Sequence, residues 1–222
     1  MNLQAAVLIV GVLLFASLVP ASADPLRHLD YRVNLSGEGA PRTGTVHLDM
    51  IASRGEGAVV VDVAEEMRDS DASPIRVDIH RGGGIATDSD QLLSDSELAL
   101  VTVMALESEN MNGVDVGDQW TRQTGVPGGR CTTAFKVTKN DGQGHIGVAM
   151  TRTLHFAGGQ QATWHGTVDY DANTFVPTAI TFTGVMSSFD DAHAGLHQVS
   201  LSLRLLQDSF KGGNRDREAA LR

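Results

Sequence analysis

The sequence predicts a mainly β protein in which one antiparallel sheet forms a half-barrel or barrel around a single helix. Three observations lead to this fold class. Apolar and polar residues alternate with a period of two through most of the chain, turn-forming residues separate the alternating segments, and one apolar run carries a helical start signal. A sheet with one apolar face must cover that face. We therefore expect the helix to pack on the concave face of the sheet.

The first 23 residues have the features of a secretory signal peptide. A short polar start precedes an apolar run over 5–19, and Ala21-Ser22-Ala23 is a small-x-small cleavage site. The run is shorter than the roughly 20 residues that a membrane-spanning helix needs. The sequence thus predicts a chain exported to the periplasm or the exterior, with no membrane span after cleavage, one domain over 24–210 and a flexible polar tail over 211–222.

Period-two alternation predicts the strands. In residues 29–35, for example, Leu29, Tyr31 and Val33 alternate with charged or polar neighbours, as expected of a strand with one buried face. The same pattern occurs in four further segments: 75–79, 146–150, 164–170 and 199–205. Glycine and asparagine, which adopt positive φ at little cost, predict turns between strands at 81–84, 140–144, 157–160 and 171–174.

One segment departs from this alternation. Ser94-Asp95-Ser96-Glu97 has the spacing of a capping box, and the run over 98–106 is apolar on nearly every side. We predict a helix over about 94–107 that is covered on more than one face, by protein or by a ligand. Because Val101 and Val103 are β-branched, a buried strand is the alternative.

Charge and cysteine content exclude several classes of protein. The formal net charge is −10, and lysine and arginine do not cluster, which argues against nucleic acid as a partner and against adsorption of the protein to anionic lipid headgroups. Cys131 is the single cysteine, so no internal disulfide can form. We expect a small buried side chain there. A reactive thiol would need a basic neighbour, and Arg130 points to the opposite strand face.

No constellation in the sequence predicts catalysis. There is no Gly-x-Ser-x-Gly motif, and Cys131 has no assignable base. We expect a non-enzymatic protein without cofactors, catalytic residues or a metal site. Three weaker patterns are alternatives to this expectation: His193 with His197 as zinc ligands, Asp69-Ser70-Asp71 and Asp88-Ser89-Asp90 as calcium ligands, and His155 facing His165 across a hairpin.

Two motifs resemble those of a group of uncharacterised exported bacterial proteins. Val114-Asp115-Val116-Gly117-Asp118-Gln119-Trp120 resembles their turn into a strand, and Gly166-Thr167-Val168-Asp169-Tyr170-Asp171, followed by 175–183, resembles their closing hairpin. The architecture is similar to that of lipoprotein-carrier-like half-barrels. The resemblance implies a curved sheet closed by helices over an apolar cavity, and it implies no catalytic residues. These carriers have more than the one helix found here.

These patterns lead to three hypotheses of function. The first is an exported binding protein for a lipid or other apolar molecule, because an apolar helix that covers a curved sheet incompletely leaves an apolar pocket. The residues expected to line that pocket are Leu98, Val101, Met104, Trp120 and Trp164. The second is an envelope protein-protein interaction module that uses a sheet edge and has a fully packed core. The third is a metal-dependent hydrolase built on His193 and His197.

Overall fold

The computed structural model describes eleven strands and one helix, within residues 25–37, 41–54, 58–67, 73–80, 84–87, 93–104, 113–126, 129–156, 161–174, 176–187 and 196–210. The elements, in chain order, are β1 (Arg27–Ser36), β2 (Arg42–Arg54), β3 (Ala58–Met67), β4 (Ile75–Ile79), β5 (Ile85–Thr87), α1 (Asp95–Met104), β6 (Gln119–Val126), β7 (Gly129–Asn140), β8 (His145–Phe156), β9 (Gln161–Asp171), β10 (Val176–Ser187) and β11 (Leu196–Asp208).

All strands belong to one antiparallel sheet. Its spatial order is β5-β4-β3-β2-β1-β11-β10-β9-β8-β7-β6, so the first and last of the described strands pair in its middle. The sheet is not closed into a barrel, since β5 and β6 lie at opposite ends of this order. The predicted mainly β fold is confirmed, in its open half-barrel form.

The predicted alternation is confirmed where the strands are buried. On β1, Leu29, Tyr31 and Val33 are completely buried, and the residues between them lie on the opposite face. We call the face that carries the core the inner face and the other the outer face. Tyr31 keeps its hydroxyl satisfied in the interior by donating to the Pro177 carbonyl oxygen at 3.0 Å.

The helix begins with the predicted capping box. The Glu97 amide donates to Ser94 Oγ (3.2 Å), and the Ser94 amide donates to Glu97 Oε2 (2.7 Å). The helix contacts β3, β10 and β11 on the inner face, and Leu100 and Val101 have no exposed surface. Because β3 and β10 are four positions apart in the sheet and both contact one short helix, the sheet must curve around it. The predicted helix is confirmed over Asp95–Met104, and 105–107 lie outside the described residues.

The described turns follow the predicted chemistry. Between β7 and β8, Gly142 and Gly144 have φ of 65° and 121°, values that side-chain-bearing residues rarely adopt. The Val114–Trp120 motif is a turn into β6, in which the Asp118 amide donates to the Asp115 carbonyl oxygen at 3.0 Å.

The predicted signal peptide, the 157–160 turn and the 211–222 tail lie outside the described residues. Within the described part of the chain, no helix has the length and apolar character needed to cross a membrane.

Candidate functional site

Four of the five predicted ligand-lining residues lie in or against the main core cluster. Val101 is completely buried in the main core, and three half-buried side chains pack against that core: Leu98, Met104 and Trp120. The fifth, Trp164, lies in a separate small cluster with Cys131, Leu154 and Ala162. The five residues thus belong to two separate apolar clusters on the inner face.

Arg152 on β8 joins these two parts. It is only 4% exposed, and its guanidinium carbon lies 4.8 Å from the centroid of the Trp164 ring. Its Nε donates to Cys131 Sγ at 2.8 Å, and its Nη1 donates to Thr102 Oγ1 of the helix at 3.4 Å. The predicted burial of Cys131 is therefore confirmed, and its basic neighbour comes from β8, whereas Arg130 is exposed.

No described carboxylate balances this charge. Among the described residues, no Asp or Glu oxygen lies within 4.0 Å of the Arg152 guanidinium nitrogens. A buried charge is costly unless it is paired, and the two described hydrogen-bond acceptors of this guanidinium are the Cys131 sulfur and the Thr102 hydroxyl. The Arg152 guanidinium therefore has no carboxylate partner among the described residues.

The neighbouring tryptophans add further unpaired donors. Trp164 Nε1 and Trp120 Nε1 are both buried with no hydrogen-bond partner among the described residues. Trp164 contacts Phe182 edge to face, with ring centroids 6.0 Å apart, and Trp120 stacks on Phe135 at 5.2 Å. Buried indole N–H groups normally find an acceptor. The inner face thus combines apolar surface with two indole N–H groups that have no acceptor among the described residues.

Sequence analysis missed Arg152, although a signal for it exists. Ile146, Val148, Met150 and Leu154 form the buried face of β8, and Arg152 occupies the same alternating position. A charged residue on an otherwise apolar strand face is unusual enough to single out. Its contact with the Trp164 ring, however, depends on the pairing of β8 with β9.

A second buried polar group lies at the start of the helix. Glu65 projects from β3 on the inner face and accepts a hydrogen bond from Ser96 Oγ, which ties the helix to the sheet. Glu97 is 4% exposed. Burial raises the pKa of the Glu97 carboxyl above its usual value of 4.5; the Ser94 amide opposes this change, and the negative charge of Glu65 adds to it.

We expect Glu97→Gln to stabilise the protein at neutral pH. Because the folded state holds the Glu97 proton to a higher pH than the unfolded chain does, this group favours folding below about pH 4.5. Its contribution is lost as the pH rises through the folded-state pKa. The glutamine side chain stays neutral and still offers an oxygen to the Ser94 amide. The variant should therefore melt at a higher temperature than the unsubstituted protein at pH 7, and the difference should shrink towards pH 4.

Asp169→Asn is the matched control for this prediction. It removes the same charge at an exposed position on β9, so its melting temperature should stay near that of the unsubstituted protein at both pH values. A lower melting temperature of Glu97→Gln at pH 7 would contradict the prediction.

A third polar cluster lies on the outer face of β1 and β2. His28 and His47 both contact Asp30 Oδ1, at 2.8 Å and 2.6 Å, and their rings stack with centroids 6.1 Å apart. The other nitrogen of each ring faces a second carboxylate, Asp49 for His28 and Glu66 for His47. The hydrogen bond with Asp49 is the main cause that raises the pKa of His28 above its usual value. This cluster was not predicted from the sequence, because His28 and His47 lie on different strands and meet only through the pairing of β1 with β2.

The other histidine and acidic patterns yield no site in the described residues. His155 and His165 do not face each other, because in the β8-β9 register they pair with Gln161 and Thr151 respectively. That hypothesis was wrong, since the register of the hairpin is offset from the one it assumed. His193, the His197 side chain and the two Asp-Ser-Asp segments lie outside the part that the structure describes.

Comparison with known proteins assigns no family to the chain. No family model and no curated protein matches it. Among solved structures, the chain is similar to the complex of Pseudomonas aeruginosa MucA and MucB, with 9% identity, coverage of 82% of this chain and 89% of that chain, and a TM-score of 0.17. A TM-score of this size carries no argument about function. The comparisons thus give no support for the resemblance to lipoprotein-carrier-like half-barrels, and the structure shows one open antiparallel sheet with a helix on its inner face.

Proposed function

We propose that this chain is an exported, non-enzymatic binding protein for an amphiphilic molecule with an acidic group. The apolar body of the ligand would contact the inner face of the half-barrel, and its acid group would bind Arg152. The observation that carries the proposal is a guanidinium that is 4% exposed and has no carboxylate partner among the described residues. Export itself is proposed from the signal-peptide pattern of the first 23 residues.

The donors at Arg152 suit an anionic acceptor. A guanidinium presents planar N–H groups that match carboxylate and phosphate oxygens, and such charge-assisted hydrogen bonds are stronger than neutral ones. The buried Trp164 N–H, beside the same guanidinium, is a further donor without an acceptor. An acidic headgroup would satisfy both groups at once.

The apolar part of the proposed site would be formed by side chains of the helix and of β6. Leu98, Met104 and Trp120 are half-buried, so each retains surface that an apolar chain can cover. Covering such surface contributes about 25 cal/mol per Å² of apolar area removed from water. Val101, in the same helix, has no exposed surface and packs in the main core. Ligand sites combine apolar surface with a few polar or charged groups that fix the orientation of the ligand. Apolar surface together with the Arg152 guanidinium therefore suits an amphiphilic acid better than a neutral hydrocarbon.

A matched pair of ligands tests this proposal on the full chain after lipid removal. A long-chain fatty acid and the fatty alcohol of the same length differ only in the acid group. At a concentration about 100 times its Kd, the acid should stabilise the protein by about 2.7 kcal/mol, a rise in melting temperature of about 5–10 °C. The alcohol should give a clearly smaller rise.

Two variants then test whether the acid group of the ligand binds Arg152. In Arg152→Gln the advantage of the acid over the alcohol should disappear, whereas Arg204→Gln, an exposed arginine on β11, should retain it. Stabilisation by neither ligand, at any chain length, would refute the binding function. Equal stabilisation by both would refute the role of Arg152. Because the comparison of acid with alcohol is made on the unsubstituted protein, its outcome does not depend on how well Arg152→Gln folds.

The open sheet edge favours a second candidate function, an envelope protein-protein interaction module. Among the described strands, β6 pairs only with β7, so its other side presents backbone groups that an added strand can bind. Charges at Thr121 and Gln123, both exposed, should oppose such pairing. A protein captured in equimolar amount from envelope extract, and lost with Thr121→Asp/Gln123→Asp, would favour this function over lipid binding.

A further inference from the structure

We propose that His28, Asp30 and His47 form a binding site for a zinc-type divalent ion on the outer face of the half-barrel. This site is separate from the amphiphile site, which lies on the inner face. It does not rest on the function proposed above, and the two can be tested independently.

Strand geometry places the three side chains together. His28 and Asp30 are two residues apart on β1, so both project from the outer face. Asp30 is directly opposite His47 in the antiparallel register of β1 with β2. Directly opposed residues on one face of a sheet have Cβ atoms only about 4.5–5.5 Å apart, which lets their side chains converge.

The potential ligand atoms of these residues lie within 4.8 Å of one another. Asp30 Oδ1 lies 2.8 Å from His28 Nε2 and 2.6 Å from His47 Nδ1. A tetrahedral zinc ion with bonds of about 2.0–2.2 Å separates its ligand atoms by about 3.4 Å. An ion bound between these atoms would therefore move each of the two histidine nitrogens away from Asp30 Oδ1 by several tenths of an ångström.

Carboxylates behind both imidazoles suit a metal site. The second ring nitrogen of His28 is 2.5 Å from Asp49 Oδ1, and that of His47 is 3.5 Å from Glu66 Oε2. Histidine ligands of metals usually donate their other N–H to a carboxylate or carbonyl, which orients the ring and makes the coordinating nitrogen more basic. Here each histidine is already arranged in this way, with Asp30 on one side and a second acid on the other.

The chemistry of the donor set selects the class of ion. Two imidazoles and one carboxylate suit zinc and its neighbours, whereas calcium and magnesium prefer sites made of oxygen. The side chains are about one-third exposed at the histidines and 18% exposed at Asp30, so an ion can enter from solvent. Three protein ligands leave the fourth tetrahedral position for water or for a group from another molecule.

Titration of the untagged protein with zinc, followed by calorimetry, tests the proposal. We expect one zinc ion per chain. Both His28→Ala and His47→Ala should lose this binding, because each variant keeps only two of the three protein ligands. The cobalt-loaded protein should show visible absorption typical of four- or five-coordinate cobalt, and this absorption should also be lost in both variants.

Two further variants separate this site from alternatives. His165→Ala removes an exposed histidine from the outer face of β9 and should bind zinc like the unsubstituted protein. Asp49→Ala should weaken binding roughly 10- to 100-fold, the usual effect of removing a carboxylate behind a histidine ligand. The substituted residues all lie on the outer face of the sheet, away from the core. Circular dichroism checks that each variant is folded. Absence of zinc binding, or binding that survives in His28→Ala and His47→Ala, would overturn the proposal and leave the cluster as an ion-pair network.

Discussion

Leu100→Ala is expected to lower the free energy of unfolding by about 3–5 kcal/mol. Leu100 lies in α1 with no exposed surface, in the main core between the helix and the inner face of the sheet. Truncation removes its buried methyl groups and leaves a cavity that the surrounding strands fill only in part. Urea denaturation followed by circular dichroism measures the loss as a lower midpoint at an unchanged slope.

Leu98→Ala is the matched control for Leu100→Ala. It makes the same substitution in the same helix at a half-buried position, and its expected cost is about 1–2 kcal/mol. If both variants lost the same small amount of stability, α1 would not be enclosed by the sheet, and the half-barrel arrangement would be refuted.

Gly166→Ala is expected to cost about 3 kcal/mol, although it adds one methyl group. Gly166 lies in β9 directly opposite Phe182 of β10, and a Cβ there would overlap the Phe182 ring and the backbone oxygen of Thr181. The ring can turn away, but the backbone oxygen moves only if the two strands separate. Thermal and urea unfolding should both show the loss, together with weaker tryptophan-aromatic contacts in the near-ultraviolet circular dichroism.

Gly147→Ala provides the comparison. In β8, a Cβ at this position would lie 3.2 Å from Lys139 Cβ and 3.3 Å from Thr138 Oγ1, a tight fit that needs a shift of only a few tenths of an ångström, much less than the overlap at Gly166. Alanine also restricts the unfolded chain more than glycine does. We expect a change within about 1 kcal/mol. A comparable loss in both variants would show that strand glycines are equally intolerant and that the Phe182 contact is not special.

Local features of the fold could be predicted from the sequence. The alternation of apolar residues identified β1, β4, β8, β9 and β11, and the Ser94-Glu97 spacing identified the start of α1. Each of these features depends on residues within a few positions of one another, whose geometry the backbone itself dictates. The same holds for the turn at 140–144, where glycine supplies the positive φ.

The candidate sites could be predicted only in part. The sequence shows that Arg152 shares the apolar face of β8 and that His28 and Asp30 share the polar face of β1. It does not show that Arg152 lies over Trp164, or that His47 completes the outer-face cluster. Both facts depend on which strands are neighbours and in which register they pair.

The sequence by itself therefore determined five of the described strands, the start of the helix and which residues share a face on those strands, because alternation along a strand is a local property of the backbone. The tertiary structure alone decided that β1 pairs with β11, that the sheet stays open, and that Arg152 is enclosed without a described carboxylate. These features arise from contacts between distant segments, and a shift of register by one residue would exchange the two faces of a strand. The inner-face cation and the outer-face histidines are products of that pairing.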